Sequence, residues 1–280
     1  MKVGIITDNT SNLPSTFIKE NNIGVVSLYV MKKGTFSKAV EMSPERYYEE
    51  LKRLDYVPST SQPSPLDFEN VYIEMLKKYD TLISVHISGK LSGTVDSAKM
   101  AANTVGGRIY VVDSRLTSWG LGFLVMELAE LLKKAIKVEA LVNFASTFHE
   151  KVSTYFTVND LTHLYKGGRI GKARTLLGRL LNARPLLRLR NGEILPAGTF
   201  RGKQKLLDAL VRRAFSRVGS ARLKRVAIIH AGNVKDAAQL KSMVEKYVTG
   251  NGSRLFTDVC DVVIGTHLGP GAVGIITEWG

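Results

Sequence analysis

The sequence predicts an α/β protein built from two α/β domains, and two observations support this. In the first half, short runs rich in β-branched residues alternate with helical patterns, which is typical of a mostly parallel sheet covered by helices. Later, an Asn191-Gly192 pair separates two strand patterns and predicts antiparallel pairing. We therefore expect an N-terminal α/β domain at 1–150 and a mixed or antiparallel C-terminal α/β domain at 151–280, with a cleft between them.

The predicted elements follow from local patterns. Helices are expected at 44–54 and 65–78, because each begins with Ser-Pro, an N-cap followed by the favoured first helical residue. Ser64 and Asp67 have the spacing of a capping box. Strands are expected at 3–7, 24–28, 81–86, 108–112, 186–190, 193–197, 225–230 and 255–260, and later helices at 203–217 and 234–248.

Composition limits the class of protein. The 280 residues are 44% hydrophobic and 23% charged, which is ordinary for a soluble globular protein. The only cysteine, Cys260, cannot form an intrachain disulfide, which suits a reducing cytosol. The longest apolar stretch, 119–132, contains two glutamates and is too short to span a bilayer. The first residues read as a strand and turn rather than a signal peptide, so we expect a cytoplasmic protein with no integral membrane segment.

The formal net charge of +14 is concentrated in one segment. The window 166–225, here called the basic window, has 17 basic and two acidic residues, whereas the rest of the chain is nearly neutral. Such a window indicates an anionic ligand or partner. Two of its arginines, Arg169 and Arg201, stand beside glycines in short turns, where a guanidinium can bind carboxylate or phosphate. The alternative is a solvated basic surface.

Three polar loops are candidate ligand sites. Residues 87–94 leave a predicted strand and enter a helix at the edge where parallel strands end, so the helix N-terminus can bind an anion. Within it, Ser92 offers a hydroxyl, although a simple N-cap is the commoner role for such a serine. The hydroxyl-rich loop 60–64 and the loop 7–11 are expected at the same edge, and each alone is most often a turn.

His267 lies in a glycine-rich segment, 265–271, which we expect to be a loop between two strands. The histidines have no zinc-ligand spacing, so no metal site is expected. The glycines at 269–274 match the letters of a dinucleotide fingerprint, but too little chain follows to complete that unit.

Taken together, the segments resemble the DegV family in order and spacing over the whole chain. The segments that carry the resemblance are Thr7-Asp8, TSQPS at 60–64, ISGKLSGT at 87–94, VVDS at 111–114, DLTHLYKGGRIGKA at 160–173, Phe200-Arg201-Gly202 and HLGPGAVG at 267–274. The family is similar to the fatty-acid-binding subunits of bacterial fatty acid kinase.

That resemblance implies a non-catalytic protein with no cofactor and no nucleic-acid partner, which is a monomer when free. Its ligand would be a long-chain fatty acid, buried in the cleft between the two domains and presented to a separate kinase catalytic subunit that makes the acyl phosphate. The resemblance assigns the carboxylate to Thr60, Ser61, Ser92, Gly93 and His267, and the acyl phosphate or the kinase to Arg169 and Arg201.

Two other functions remain open from the residues. Ser92, His267 and Asp8 are the residue types of a lipid hydrolase, although the sequence has no G-x-S-x-G elbow. The basic window alone is also compatible with nucleic-acid binding, although it matches no recognition motif.

Overall fold

The computed structural model describes residues 2–178, 182–250 and 252–280. Its contacts divide the described chain into two compact units: Met1–Glu41 with Thr60–Glu150, and Met42–Ser59 with Lys151–Gly280. The strands are β1 (Val3–Asp8), β2 (Gly24–Val26), β3 (Tyr29–Lys32), β4 (Thr35–Lys38), β5 (Ser59–Ser61), β6 (Thr81–His86), β7 (Arg108–Asp113), β8 (Val152–Thr157), β9 (Arg184–Arg190), β10 (Glu193–Phe200), β11 (Leu223–His230), β12 (Arg254–Val259) and β13 (Val273–Trp279). The helices are α1 (Ser15–Glu20), α2 (Pro44–Leu51), α3 (Pro65–Leu76), α4 (Thr94–Val105), α5 (Trp119–Leu131), α6 (Val138–Thr147), α7 (Thr162–Lys166), α8 (Lys203–Ala214), α9 (Val234–Val248) and α10 (Val262–Leu268).

The first unit contains the predicted parallel sheet. Its strand order is β2-β1-β6-β7, and every pair in it is parallel. All residues of β6 are buried, as expected for a strand in a sheet covered on both faces. Helices α3 and α4 pack around Ile6 and Leu82, whereas α5 contacts β1 and β6. A small second sheet has the order β4-β3-β5.

The second unit contains a mixed six-stranded sheet with the order β10-β9-β8-β13-β11-β12. Only the β11–β12 pair is parallel. The hairpin predicted from Asn191-Gly192 is confirmed, because both residues have positive φ, at 50° and 78°, as a type I′ turn requires. Helices α8 and α9 bury Leu206, Leu210 and Leu240 against this sheet. The two sheets together confirm the predicted α/β class.

The local helix signals are also confirmed. Ser64 accepts from the backbone N–H of Asp67, and the Asp67 carboxylate accepts from the backbone N–H of Ser64, which completes the capping box. Pro44 and Pro65 occupy first helical positions. In the described residues, no helix is long and apolar enough to cross a membrane.

The segment Met42–Ser59 packs with the second unit, which the sequence analysis did not anticipate. Its helix α2 is bonded to α10 and to the residues that precede it: the Tyr47 hydroxyl lies 2.5 Å from Thr266 Oγ1, and the Tyr48 hydroxyl donates to Cys260 O at 2.9 Å. Glycine at 265 makes room for the Tyr48 ring. These contacts join residues more than 200 positions apart, so no local pattern signals them.

Candidate functional site

The segment between β6 and α4 leads from the edge of the parallel sheet to a helix N-terminus. The N-cap of α4 is Gly93, and no side-chain hydrogen bond caps the helix in the part of the chain that the structure describes. Because the helix begins at Thr94, Ser92 stands one residue too early to be its N-cap. Its hydroxyl lies 2.8 Å from Thr94 Oγ1 instead, so the prediction that Ser92 caps the helix is wrong. An anion placed here would meet the backbone N–H groups of the first turn.

Gln62 holds the polar loop 60–64 against this helix N-terminus. Its Nε2 donates to Ser97 Oγ at 2.9 Å, and its carboxamide fills the space beside Gly93. A Cβ at position 93 would overlap Gln62 Oε1, so this contact requires glycine there. The contact brings together the two segments that contain the predicted first-unit residues Thr60, Ser61, Ser92 and Gly93.

The hydroxyls of this cluster are only partly exposed. Thr60 and Ser61 lie in β5 and are half-buried, as is Ser92. The Ser61 hydroxyl donates to Gln62 O at 3.2 Å, which ties it to its own loop. The cluster thus offers hydroxyl and backbone N–H donors, which suit an anionic head group.

A buried hydrogen-bonded network that the sequence analysis missed fixes the ends of β1 and β6. Asp8 accepts from the backbone N–H groups of Thr10 and Ile87, at 3.0 and 2.9 Å. His86 Nδ1 lies 3.1 Å from Asp8 Oδ2, and its Nε2 lies 2.6 Å from the Ser84 hydroxyl. Asp8, Ser84 and His86 have no exposed surface. The sequence did contain one signal of this network: Ser84 and His86 are two residues apart in a predicted strand and therefore lie on the same face of the sheet.

This network contradicts the hydrolase arrangement, in which Asp8 orients His267. Asp8 Oδ1 accepts from the backbone N–H and the hydroxyl of Thr10, and Oδ2 accepts from His86 and from the backbone N–H of Ile87. These four first-unit donors fill the acceptor sites of a carboxylate, so none is left for His267. The buried serine–histidine–aspartate chain has the residue types of a catalytic triad, and the Tyr72 hydroxyl continues it at 2.9 Å from Ser84 Oγ. None of these residues has exposed surface, and their hydrogen bonds connect β1, β6 and α3.

In the second unit, the segment predicted as a loop at 265–271 begins as a helix. Asp261 caps α10 by accepting from the backbone N–H of Val263 at 2.9 Å, and the helix continues to Leu268. The prediction that His267 lies in a loop is therefore wrong, because it occupies the last turn of α10. The glycines that suggested a loop have other roles: Gly269 and Gly271 have positive φ and end the helix.

His267 lies within a cluster of second-unit groups. Its Nδ1 is buried against Gly167, where a Cβ would overlap the imidazole. Arg169 donates to the carbonyl of Gly167 at 2.7 Å, and His163 Nδ1 donates to Thr266 O at 2.9 Å. Burial is the main cause that lowers the pKa of His267 to about 4, and the nearby Arg169 and His163 contribute to the same shift. The structure thus brings Arg169 close to a histidine that is neutral at physiological pH.

Arg201 is exposed on the turn between β10 and α8, on a segment separate from Arg169. Gly202, which follows it, has a φ of 85° and allows the chain to turn into α8.

Part of the basic window is neutralised by internal pairs. Arg225 is buried and donates to Glu278 Oε2 at 2.6 Å, and Lys203 forms an ion pair with Asp236. Arg179 belongs to the window but lies outside the described residues. Among the residues described, no group of three or more His, Cys, Asp or Glu side chains could hold a metal ion.

Comparisons with known proteins find similar chains. A sequence model of the family described as "Uncharacterised protein, DegV family" matches residues 2–278. A DegV domain-containing protein from Deinococcus radiodurans is 37% identical over 286 residues, covering 99% of each chain. A solved structure described as "Fatty Acid Binding of a DegV family Protein from Thermus thermophilus" has 34% identity and a TM-score of 0.93, with 100% of both chains covered. The structure of DegV from Bacillus subtilis, described as a fatty acid binding protein, has 30% identity and a TM-score of 0.91 over 100% of both chains.

The contact between Gln62 and Gly93 can be tested by a double-mutant cycle. Gly93→Ala should displace Gln62 and destabilise the protein by about 1 kcal/mol, because the hydrogen bond to Ser97 is lost. In a Gln62→Ala background the same change should cost much less, since nothing then occupies the space. Urea denaturation of the four proteins measures the coupling, and strictly additive effects would show that Gln62 does not clamp the loop.

The lowered pKa of His267 predicts a pH-dependent stability. An ordinary histidine titrates near 6.5, so between about pH 6.5 and about pH 4 the unfolded chain binds a proton that the folded protein does not. Stability should therefore fall as the pH falls through this window, with a contribution from His267 of at most about 3 kcal/mol. His267→Gln should remove that contribution.

Denaturation curves of both proteins at a series of pH values check this prediction. The pKa of His230 is also lowered by burial, so the informative quantity is the difference between His267→Gln and the parent protein. Parallel curves from pH 7 to pH 4 would contradict a depressed His267 pKa.

Proposed function

Because the chain belongs to the DegV family, we propose that it binds a long-chain fatty acid and presents the carboxylate to a separate kinase subunit. The observation that supports the proposal is the contact of Gln62 with Gly93 and Ser97, which joins the segment that contains Thr60 and Ser61 to the N-terminus of α4. Relatives with this fold are described as fatty-acid-binding proteins, and their similarity covers the whole chain.

The head-group chemistry follows from this cluster. A carboxylate needs hydrogen-bond donors, which the hydroxyls of Thr60 and Ser92 and the backbone N–H of Gly93 would supply. The Ser61 hydroxyl would join them by releasing the carbonyl of Gln62, to which it donates. The N-terminus of an α-helix adds a partial positive charge. These groups would orient the head group, while each buried methylene of the tail would contribute about 0.8 kcal/mol to the affinity. The assignment of His267 to the same head group stays a prediction from the resemblance, as does the placing of the ligand in a cleft.

The proposed role is non-catalytic. Activation of a carboxylate as an acyl phosphate requires ATP, and the chain contains no P-loop pattern to hold it. The phosphoryl transfer would therefore take place on the kinase subunit. Arg169 and Arg201 would stabilise the phosphate or contact that subunit, since guanidinium groups bind phosphate in a bidentate manner.

The head-group assignment predicts a loss of affinity without loss of fold. In protein freed of lipid, Thr60→Ala combined with Ser92→Ala should weaken oleate binding at least about tenfold, because hydrogen bonds to a charged group are removed. Calorimetric titration measures the affinity, and mass spectrometry of the natively purified parent protein should detect a co-purifying long-chain acid.

Ser64→Ala is the matched control, since Ser64 lies in the same loop but caps α3. It should lower the free energy of unfolding by about 1 kcal/mol and leave oleate affinity unchanged. Equal affinities for the parent and the Thr60/Ser92 double variant would refute the head-group assignment. A parent protein that is always empty and does not bind oleate would refute fatty-acid binding itself.

The arginine assignment predicts separate effects on binding and turnover. Arg169→Ala and Arg201→Ala should each retain oleate but lower acyl-phosphate formation with the kinase subunit about tenfold or more, because a phosphate contact is lost. Of these two variants, only Arg169→Ala should also raise the pKa of His267, because Arg169, unlike Arg201, is one of the groups that lower it. Arg212→Ala, on the exposed face of α8, is the control, and normal turnover in both test variants would contradict the assignment.

A further inference from the structure

The VVDS motif, residues 111–114, ends β7 and begins the turn that leads to α5. It lies outside the proposed head-group cluster, but it follows the neighbouring strand. Strands β6 and β7 pair parallel with His86 opposite Asp113, so both strands end at the same edge of the sheet. The turn after β7 and the loop 87–94 after β6 therefore start side by side.

One carboxylate oxygen holds these two segments together. Asp113 Oδ1 accepts from the backbone N–H of Gly89 at 3.1 Å and from that of Arg115 at 2.9 Å. Arg115 has a φ of 54°, which residues other than glycine adopt mainly in tight turns, and the second hydrogen bond stabilises that turn. A Cβ at position 89 would lie 3.1 Å from Asp113 Oδ2, so glycine there lets the loop pass close to the carboxylate.

Two more groups of the turn bind the same loop. Ser114 Oγ donates to the carbonyl of His86 at 2.5 Å, and the carbonyl of Leu116 accepts from the backbone N–H of Ser88 at 2.9 Å. Ser88 and Ser114 have no exposed surface. Hydrogen bonds in such a buried setting are electrostatically stronger than in water, so the turn fixes the course of the first loop residues.

Ser88 connects this turn to the head-group cluster. Its carbonyl accepts from the backbone N–H groups of Leu91 and Ser92, at 2.9 and 3.1 Å. Residues 88–92 therefore form a closed turn, and Ser92 leads directly into Gly93, the N-cap of α4. The placing of both predicted head-group residues thus depends on a turn whose first residue is bound to the segment after β7.

We propose that Asp113 is a positioning residue for the fatty-acid head group, because it holds the backbone from which Ser92 and Gly93 reach the ligand carboxylate. The inference rests on the proposed function, since it requires those two residues to bind the ligand. Asp113 does not bind the ligand itself, because like charges repel. Its contribution is the acceptor geometry of Oδ1, which holds two N–H groups, and not its charge.

Two substitutions of Asp113 separate the acceptor from the charge. Asp113→Ala removes the acceptor, so in protein freed of lipid it should weaken oleate binding about fivefold or more in calorimetric titration. Asp113→Asn keeps an oxygen in place of Oδ1 but has no charge, so it should bind oleate at least as tightly as the parent protein. An equal loss of affinity in both variants would overturn the inference.

Asp80→Ala is the matched control at the opposite end of β6. The Asp80 carboxylate accepts from the backbone N–H of Lys2 at 2.7 Å, so this variant also loses a hydrogen bond between a carboxylate and the backbone. Urea denaturation measures the stability of both alanine variants, and Asp80→Ala should leave oleate affinity unchanged. If it weakened oleate binding as much as Asp113→Ala, the effect would be one of general stability and the inference would be wrong.

A double-mutant cycle tests the route through the loop. In a Ser92→Ala background, Asp113→Ala should weaken oleate binding by a smaller factor than in the parent protein, because one of the two groups that it positions is already missing. In a Thr60→Ala background it should keep its full effect, since Thr60 lies on β5 and not on the loop. Strictly additive effects with Ser92→Ala would overturn the positioning role.

Oleate binding by the parent protein separates this inference from the proposed function. If the parent protein binds oleate and Asp113→Ala binds it equally well, only the positioning role is overturned. If the parent protein does not bind oleate, the proposed function is overturned and, with it, the ligand that Asp113 would help to place.

Discussion

A carboxylate with no exposed surface must have its oxygens hydrogen-bonded, and in this protein that requirement fixes the edge of the parallel sheet. Asp8 at the end of β1 satisfies it with donors from the start of the next polar turn and from the end of β6. Because one of those donors is the backbone N–H of Ile87, the segment that leads to Ser92 and Gly93 starts from a fixed point. The position of the candidate site therefore depends on a buried aspartate that has no exposed surface.

Close packing at two glycines extends this order to the candidate site residues. Gly93 lets the Gln62 carboxamide lie on the start of α4, and Gly167 lets the His267 imidazole lie against the chain that carries Arg169. In each case a methyl group would overlap a polar side chain, so glycine acts here through the space it leaves rather than through its backbone freedom. Both glycines thus position a polar side chain, Gln62 or His267, by packing and not by an ion pair.

Features that local sequence determines were predictable, and features that depend on distant contacts were not. The capping box at Ser64, the Asn191-Gly192 hairpin and the strand at 81–86 each follow from residues within a few positions of one another. Helix α10 was missed because its glycine at 265 reads as a loop residue, whereas it is selected by the ring of Tyr48. The Asp8 network was also missed because it depends on distant contacts: His86 and Ile87 are nearly 80 residues from Asp8 in the sequence.

Charge alone does not decide which partner a basic surface meets. The basic window contains most of the excess charge, yet Arg225 and Lys203 are paired internally and Arg174 lies over the Tyr165 ring. A phosphate or an acidic protein is recognised by the fixed geometry of a guanidinium rather than by the sum of nearby charge. Under the proposed function, the arginines in glycine-flanked turns, Arg169 and Arg201, would therefore matter more than the total charge of the window.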